Sequence, residues 1–346
     1  MSANMPLVTV VTVCRNARPH IQDCMASVHR QRMPPGAIEY IVVDGLSDDG
    51  TAELVREAAQ AGVVSRFVSE KDGGVYDAMN KGLRLAQGRY IALLNSDDWF
   101  HPDMLARSVQ LAVTTGADYV VSDAWACSPQ GRRLFRFRAD LASMVWEAPY
   151  AHLSLVCRKE VYDRLSGYDT SFRIAADYDL MWRLHRLPAK CAVLRAALSN
   201  YRLGGLSAGD NYGEVLTIYA RNADAIRAQL YASRLNLIGF LAVCTSRLEQ
   251  ALQQRPEAER QQFLGQVKDI YQQIGLREAI QRHGLTKVWE RSLGGVIAAE
   301  EAGQQVPAST RRVARRLRVR YVLQRHGLIA TFQSVVDTGV ACLLRR

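Results

Sequence analysis

Apolar and polar positions alternate along the first 125 residues in a way that predicts strands and helices in turn. Short runs rich in β-branched residues predict strands over Leu7–Val13, Tyr40–Asp44, Arg66–Ser69, Tyr90–Leu94 and Tyr119–Ser122. The segments between them repeat apolar residues at helical spacing and predict crossover helices over Pro19–Gln31, Thr51–Ala61, Val75–Ala86 and Pro102–Thr114, two of them opened by a proline. This alternation predicts an α/β domain with a Rossmann-like, mainly parallel central sheet flanked by helices.

The pattern changes twice after residue 125. Residues 126–210 combine short strands with helices and are interpreted as completing the same domain, with strands at Arg133–Phe137, Leu153–Arg158 and Cys191–Leu194 and helices at Lys159–Leu165 and Ala175–Leu187. From residue 211 onward Gln, Glu, Arg, Ala and Leu dominate, which predicts mostly helix. We therefore expect one domain over residues 1–210, in two halves of 1–125 and 126–210, and a helical, basic region over 211–346.

Composition is that of a globular protein inside the cell. The chain has 346 residues, of which 48% are hydrophobic and 23% charged, enough to bury a sizeable core. Its seven cysteines are scattered, without the spacing of a zinc site or a disulfide framework. The start lacks the pattern of a signal peptide, and no apolar run approaches the ~20 residues that cross a bilayer. We expect a cytoplasmic protein.

The net charge of +10 resides in the C-terminal region. Residues 1–220 carry 24 basic and 24 acidic side chains, whereas residues 221–346 carry 20 and 10. The segment Arg311–Arg325 predicts a helix with a broad cationic face and an apolar stripe. Two interpretations stay open: the helix attaches the protein peripherally to the anionic inner face of the plasma membrane, or it packs one face on the protein and leaves the other in water. No nucleic-acid-binding motif is present, so no nucleic-acid partner is expected.

Polar loops follow four of the predicted strands, and in open α/β sheets ligands lie beyond these strand ends. The loops are Cys14–Asn16, Asp44–Gly50, Ser69–Gly74 and Asn95–Asp98. Adjacent carboxylates at Asp97 and Asp98 would attract a hard cation such as Mg²⁺ or Mn²⁺, which could neutralise a diphosphate. Asp44 could accept a hydrogen bond from a ribose or base. For both loops the alternative is ordinary turn chemistry.

Three strings in these loops resemble family 2 glycosyltransferases: Asp44–Thr51, Ser69–Gly82 and Leu94–Asp98. The resemblance covers roughly residues 6 to 210 and is closest to bacterial enzymes of lipopolysaccharide and exopolysaccharide biosynthesis. It implies a GT-A fold and an inverting transfer from a nucleotide diphosphate sugar, with uridine preferred. It also implies a divalent cation that bridges the phosphates. The acceptor would be a hydroxyl of a glycan or of a polyprenyl-linked glycan.

The resemblance also implies roles for individual residues. Asp97 matches the metal-binding aspartate, and Asn95 stands where the family usually has the first aspartate of an Asp-x-Asp motif. An asparagine there can bond to a ribose but is a poorer metal ligand. The residues that match donor-binding positions are Thr12, Arg15, Asn16, Asp44, Ser47, Lys71, Asp72, Asp77, Asn80, Lys81, Asn95, Ser96 and Asp98.

The catalytic base is expected at the start of the helix that follows Arg173. Asp177 occupies the family's aspartate position there, and Asp179 is taken as a neighbour without that role. A partly desolvated carboxylate beside a sugar can accept the proton of the attacking hydroxyl, although acidic residues at helix starts are also common for electrostatic reasons. Gly205 and Ser207 match a flexible loop that closes over the diphosphate, and His152 a position near the acceptor.

Two other functions are alternatives to the glycosyltransferase interpretation. A non-catalytic protein could have kept the same fold as a glycan-binding or partner-binding module, which the asparagine at position 95 and the long C-terminal region allow. A nicotinamide-dependent dehydrogenase shares the alternation of strands and helices. It needs a glycine fingerprint after its first strand, however, and Cys14–Ala17 is not one.

Overall fold

The structure, a computed structural model, describes residues 5–205, 209 and 211–325. Contacts divide the chain into two compact units. Unit 1 runs to Leu141 and resumes over Ala148–Asn211, and unit 2 comprises Ala142–Glu147 and the chain from Tyr212 onward. Within the described residues, no helix has the combination of length and apolar character that would let it span a bilayer.

A parallel sheet forms the first half of unit 1. Its strands are β1 (Val8–Cys14), β2 (Ile38–Asp44), β3 (Arg66–Ser69) and β4 (Tyr90–Asn95), in the order β3-β2-β1-β4. All three pairings are parallel, as the alternating pattern predicts. Strand β1 is buried along its whole length because it lies between two neighbours and under helices on both faces, which explains its nearly unbroken apolar sequence.

Four helices connect or flank these strands: α1 (Ile21–His29), α2 (Thr51–Gln60), α3 (Val75–Leu85) and α4 (Met104–Thr115). Helices α1 and α4 begin two residues after Pro19 and Pro102, so neither proline occupies the first helical position predicted for it. Helix α3 packs closely on β1, where a Cβ at Gly82 would collide with the side chain of Val11. The glycine therefore sets the distance between this helix and the sheet.

The second half of the sheet combines parallel and antiparallel strand pairs. It contains β5 (Trp99–Phe100), β6 (Tyr119–Cys127), β7 (Arg133–Phe137), β8 (Leu155–Arg158) and β9 (Cys191–Arg202), and continues the order as β4-β8-β6-β9-β5. β8 is antiparallel to both β4 and β6, and β7 returns beside β6 through a tight turn. Connections in this half are mostly not crossover helices, so they do not impose parallel pairing.

Three elements of this half differ from their predicted bounds, and one of them is β6, which continues five residues past Ser122. A 3₁₀ turn over His152–Ser154 takes up the beginning of the strand predicted at Leu153–Arg158. Strand β9 continues eight residues past Leu194 and pairs with the unpredicted two-residue strand β5. The helices α5 (Lys159–Leu165) and α6 (Ala176–Arg186) lie close to their predicted positions.

Unit 2 is helical, as the composition of the C-terminal region predicts. Its described helices are α7 (Tyr212–Arg221), α8 (Ala223–Ala232), α9 (Arg234–Gln254), α10 (Glu257–Gln273), α11 (Leu276–Arg282), α12 (Thr286–Arg291), α13 (Leu293–Glu301) and α14 (Ala308–Arg325). Its core contains tilted and edge-on pairs of aromatic rings, among them Tyr219, Phe240 and Tyr271. Trp146 belongs to this core: its carbonyl accepts a 2.9 Å hydrogen bond from Tyr219, and its ring lies against Gly239.

Candidate active site

A cavity of about 790 Å³ opens at the carboxyl ends of β1 and β4 in unit 1. Parallel register brings these ends together, since Cys14 of β1 pairs with Asp44 of β2 and Val13 pairs with Asn95 of β4. The predicted site residues that line the cavity are Arg15, Asn16, Asp72, Asn95, Ser96, Asp97, Asp98, His152, Asp177 and Gly205.

The other predicted site residues do not line the cavity but support the loops that do. They are Thr12, Asp44, Ser47, Lys71, Asp77, Asn80 and Lys81, and Ser207 lies outside the described residues. Thr12 is an example: it is completely buried inside β1, and its hydroxyl accepts a 3.1 Å hydrogen bond from Tyr40. Its contacts are with the core.

Asp44 is completely buried at the end of β2, and its carboxylate is bonded within the protein. One oxygen accepts from the hydroxyl of Ser47 and the other from the hydroxyl of Ser69 at 2.7 Å. Asn16, whose backbone is in the left-handed region, joins the loop after β1 to the loop after β2. Its amide donates to Ser47 Oγ at 2.8 Å, and its side-chain oxygen accepts from the amide of Asp48 at 3.0 Å. These bonds hold the first two strand-end loops as one unit.

Charged side chains within the middle motif, Ser69–Gly82, hold its conformation. Lys81 lies 2.9 Å from Glu70 and 3.5 Å from Asp77, and it donates to the carbonyl of Lys71. Asp77 accepts from the amide of Gly73 at 2.9 Å, and this hydrogen bond is the main cause that lowers the pKa of Asp77. The lysine and aspartate thus shape the loop that presents Asp72 to the cavity.

Two close approaches complete this part of the site. Asp72 lies so near the backbone of Gly45 that a Cβ there would displace its carboxylate, so the glycine allows Asp72 to approach the second loop closely. Asn80 holds a more distant segment: it donates to the carbonyl of Tyr168 at 2.9 Å and accepts from the amide of the same residue at 2.8 Å. Tyr168 in turn stacks on Tyr76, whose hydroxyl donates to the carbonyl of Ile174 just before α6.

The acidic loop Asn95–Asp98 presents two carboxylates in different environments. Asp98 is 3% exposed, and burial together with the neighbouring charge of Asp97 raises the pKa of Asp98 well above its usual value. It accepts hydrogen bonds from the amide of Arg202 at 2.9 Å and from the side chain of Asn95 at 3.3 Å. Asp97 is partly exposed on the cavity wall. A Cβ at Gly205 would lie 3.5 Å from Asp97 Oδ2.

These residues suit a divalent cation that takes most of its ligands from a substrate. Within the described residues, no group of three His, Cys, Asp or Glu side chains could hold a metal ion. Mg²⁺ and similar ions are commonly bound through one or two carboxylates together with substrate phosphates, so a complete protein cage is not required. Asp97 offers a hard oxygen ligand at the cavity, and the repulsion between Asp97 and Asp98 favours a positive charge beside them.

Asp177 and Asp179 have distinct surroundings although both lie in the first turn of α6. Asp177 lines the cavity and is partly exposed. Asp179 is 3% exposed and forms a 2.7 Å ion pair with Arg183, whose guanidinium also donates to the carbonyls of Leu165 and Gly167. Of the two carboxylates, only that of Asp177 lines the cavity.

Several cavity residues escaped the sequence reasoning. Tyr76, Tyr150 and Tyr201 bring aromatic surface to the wall, Phe137 meets Tyr201 edge-on at 6.2 Å, and Arg202 comes from the end of β9. The tyrosines read in sequence as ordinary core or strand residues, and Arg202 lies beyond the predicted end of its strand. The pairing of Trp99 with Asn200 brings Arg202 near the acidic loop, and no signal in the local sequence predicts this pairing.

Comparison with known sequences identifies the domain. The profile of the family described as "Glycosyl transferase family 2" matches residues 9–176. An uncharacterized glycosyltransferase of Mycobacterium tuberculosis is 29% identical over 242 residues, which cover 66% of this chain and 87% of the relative. A putative teichuronic acid biosynthesis glycosyltransferase, TuaG of Bacillus subtilis, is 30% identical over 160 residues, or 46% of this chain and 63% of that protein.

Solved structures share the fold at low sequence identity. TarS 1–349 of S. aureus in complex with UDP superposes with a TM-score of 0.60 at 15% identity, covering 92% of this chain and 91% of that chain. The mannosyltransferase PcManGT from Pyrobaculum calidifontis, in complex with GDP-Man and Mn²⁺, gives a TM-score of 0.51 at 18% identity, with 96% and 88% covered. These likenesses confirm the predicted fold class, including the helical C-terminal region.

The surroundings of His152 predict how stability depends on pH. Burial lowers the pKa of His152 from 6.5 to about 4, and its Nε2 lies 2.6 Å from the hydroxyl of Tyr168. The unfolded chain therefore binds a proton that the folded one does not, and stability falls as the pH drops from about 6.5 towards 4. The loss from this group is at most about 1.4 kcal/mol per pH unit. Urea unfolding at pH 7.5 and 5.0 measures it.

His152→Gln should flatten this part of the pH dependence. The exposed His29 serves as the matched control, because His29→Gln should leave the pH dependence as in the wild type. Equal pH dependence in His152→Gln and the wild type would contradict the assignment.

Proposed function

We propose, on the premise that this chain belongs to the family 2 glycosyltransferases, that it transfers a sugar with inversion from a nucleotide diphosphate sugar to a hydroxyl of a glycan or lipid-linked glycan during synthesis of a bacterial surface polysaccharide. One observation carries the proposal. One cavity in unit 1 is lined both by the acidic loop with Asp97 and by Asp177. A transferase of this kind needs an anion-binding end and a proton acceptor in one enclosed space.

The donor would bind at the strand-end loops. Asp97 would hold a divalent cation, Mg²⁺ or Mn²⁺, which when bound neutralises the negative charge of the leaving diphosphate. The basic side chains of Arg15 and Arg202 line the same cavity and add positive charge. We propose a uridine nucleotide, and the UDP complex of TarS supports that choice. GDP is the alternative, since PcManGT binds GDP-Man.

Asp177 would act as the general base. The acceptor oxygen attacks the anomeric carbon as the bond from that carbon to the phosphate oxygen breaks, and the hydroxyl proton passes to the Asp177 carboxylate. The nucleoside diphosphate leaves with the bonding electron pair, so charge and atoms balance. Attack from the face opposite the leaving group inverts the anomeric centre.

A pair of neighbouring variants tests the role of Asp177. Asp177→Asn should lower the rate of nucleoside diphosphate release in the presence of acceptor by roughly 10²-fold or more, because the variant cannot accept the proton. Unfolding and donor binding should stay as in the wild type. Release is measured with a coupled assay, over a panel of UDP- and GDP-sugars with Mn²⁺.

Asp179→Asn is the matched control on the same helix turn. It should destabilise the fold by roughly 1.5–3 kcal/mol, because Arg183 loses a charged partner, while the turnover of the folded protein is retained. Wild-type turnover in Asp177→Asn would refute the base assignment. Donor binding by the wild type without turnover, over a broad panel of acceptors, would favour the alternative of a non-catalytic binding module.

We further propose that α14 attaches the protein peripherally to the anionic inner face of a plasma membrane. Ala314 is buried, and the described side chains Arg311, Arg312, Arg315 and Arg316 are exposed, so this helix turns an arginine-rich face to solvent. Clustered basic side chains near an anionic leaflet contribute about 1 kcal/mol each to binding. The side chains beyond Arg318, including those of Arg320 and Arg325, lie outside the described residues.

Liposome sedimentation tests this attachment. The wild type should bind vesicles that contain phosphatidylglycerol and lose about tenfold or more in affinity when Arg312 and Arg316 are both changed to Glu, since each arginine contributes about 1 kcal/mol. The matched control changes the exposed Arg277 and Arg291, elsewhere in unit 2, to Glu. Equal binding by the two double variants would mean that net charge, and not α14, governs adsorption.

A further inference from the structure

Arg202 reaches the acidic loop from another strand. It is the last residue of β9, and the antiparallel pairing of Trp99 with Asn200 lays this end of β9 alongside the residues that follow β4. The backbone amide of Arg202 donates to Asp98 Oδ1 at 2.9 Å, and its Nη1 donates to the carbonyl oxygen of Asp97. One residue thus holds both members of the acidic pair, one through its main chain and one through its side chain.

The guanidinium of Arg202 is fixed on its other sides as well. Its Cζ lies 4.6 Å from the centroid of the Trp99 ring, a stacked cation-π contact. The turn between β6 and β7 comes close: a Cβ at Gly131 would lie 3.6 Å from the Trp99 ring and 3.7 Å from Arg202 Nη2. The side chain is 11% exposed as a result, and the carboxylate of Asp23 stands 3.9 Å from Nη2. The guanidinium therefore has little freedom to turn.

We propose that Arg202 is the positioning residue of the acidic loop: it anchors the Asp97 carbonyl and the Asp98 carboxylate to β9, so that the Asp97 carboxylate is presented to a donor-bound divalent cation. The inference rests on the proposed function and adds the device that orients its cation ligand. The positive charge beside two adjacent carboxylates also reduces their repulsion. Lysine cannot reproduce the arrangement, because only a planar guanidinium stacks on the tryptophan and donates sideways in one fixed plane.

The hydrogen-bond balance of Arg202 favours positioning over stability. Its Nε is buried and has no hydrogen-bond partner among the described residues. A buried donor without an acceptor costs stability, so this Nε contributes no stabilising hydrogen bond to the fold. What the arginine supplies is the geometry of the loop, which matters when a cation and a diphosphate bind.

The test measures how strongly Mn²⁺ and UDP assist each other's binding, by calorimetric titration of UDP with and without Mn²⁺, and of GDP as a second probe. In the wild type Mn²⁺ should tighten nucleotide binding. In Arg202→Met this enhancement should shrink by about tenfold or more, the size expected when a charged hydrogen bond is lost. Binding without Mn²⁺ should change much less. Arg202→Lys should fall between the two, and added guanidinium ion should restore part of the enhancement in Arg202→Met.

The matched control is Arg133→Met. Arg133 also stacks on a tryptophan, Trp125 at 5.4 Å, and bonds to β9 through Asn200 at 3.0 Å; among the described residues no hydrogen bond or ion pair joins it to the acidic loop. It should keep the wild-type enhancement. If Arg202→Met and Arg202→Lys, where folded, keep the same enhancement as Arg133→Met, the positioning role is wrong. If the wild type binds neither nucleotide, the proposed function itself fails.

Discussion

Parallel register between β1, β2 and β4 is the constraint on which the site depends. It makes three neighbouring strands end at one level, with Cys14 opposite Asp44 and Val13 opposite Asn95. A shift of one residue in either pairing would disturb the close packing of the strands on the helices, such as that of Val11 on Gly82, so this packing holds the register. The polar loops that follow these strands therefore lie next to one another.

The conformation of these loops is set by the need to give buried polar groups hydrogen-bond partners. Asp44 cannot reach water, so the hydroxyls of Ser47 and Ser69 bond to it and join two strand ends. Asp98 is buried and accepts a hydrogen bond from a backbone amide of β9. Asp97, Asp72 and Asp177 remain on the cavity wall. Burial thus separates Asp44 and Asp98, which are bonded within the protein, from Asp72, Asp97 and Asp177, which are partly exposed.

The sequence predicted the parallel half of the fold well because its signals are local. Apolar runs, helical spacing and strand-end loops all appear within a few residues of one another, and ten of the predicted site residues line one cavity. Long-range pairing was harder to foresee. Strand β5 has two residues, and the last part of β9 contains Ser199 and Asn200, whose polar side chains hide a buried strand. Arg202 was missed for the same reason. The supporting role of Asp44 follows from two serines, one of them 25 residues away in the chain.

The central proposal is that the acidic loop binds a nucleotide diphosphate together with a divalent cation. Calorimetric titration of the wild type and of Asp97→Asn with UDP, each in the presence and absence of Mn²⁺, tests this claim most directly. The account predicts binding that Mn²⁺ strengthens in the wild type, and loss of that strengthening in Asp97→Asn while the variant stays folded. Equal effects of Mn²⁺ on the two proteins would contradict it.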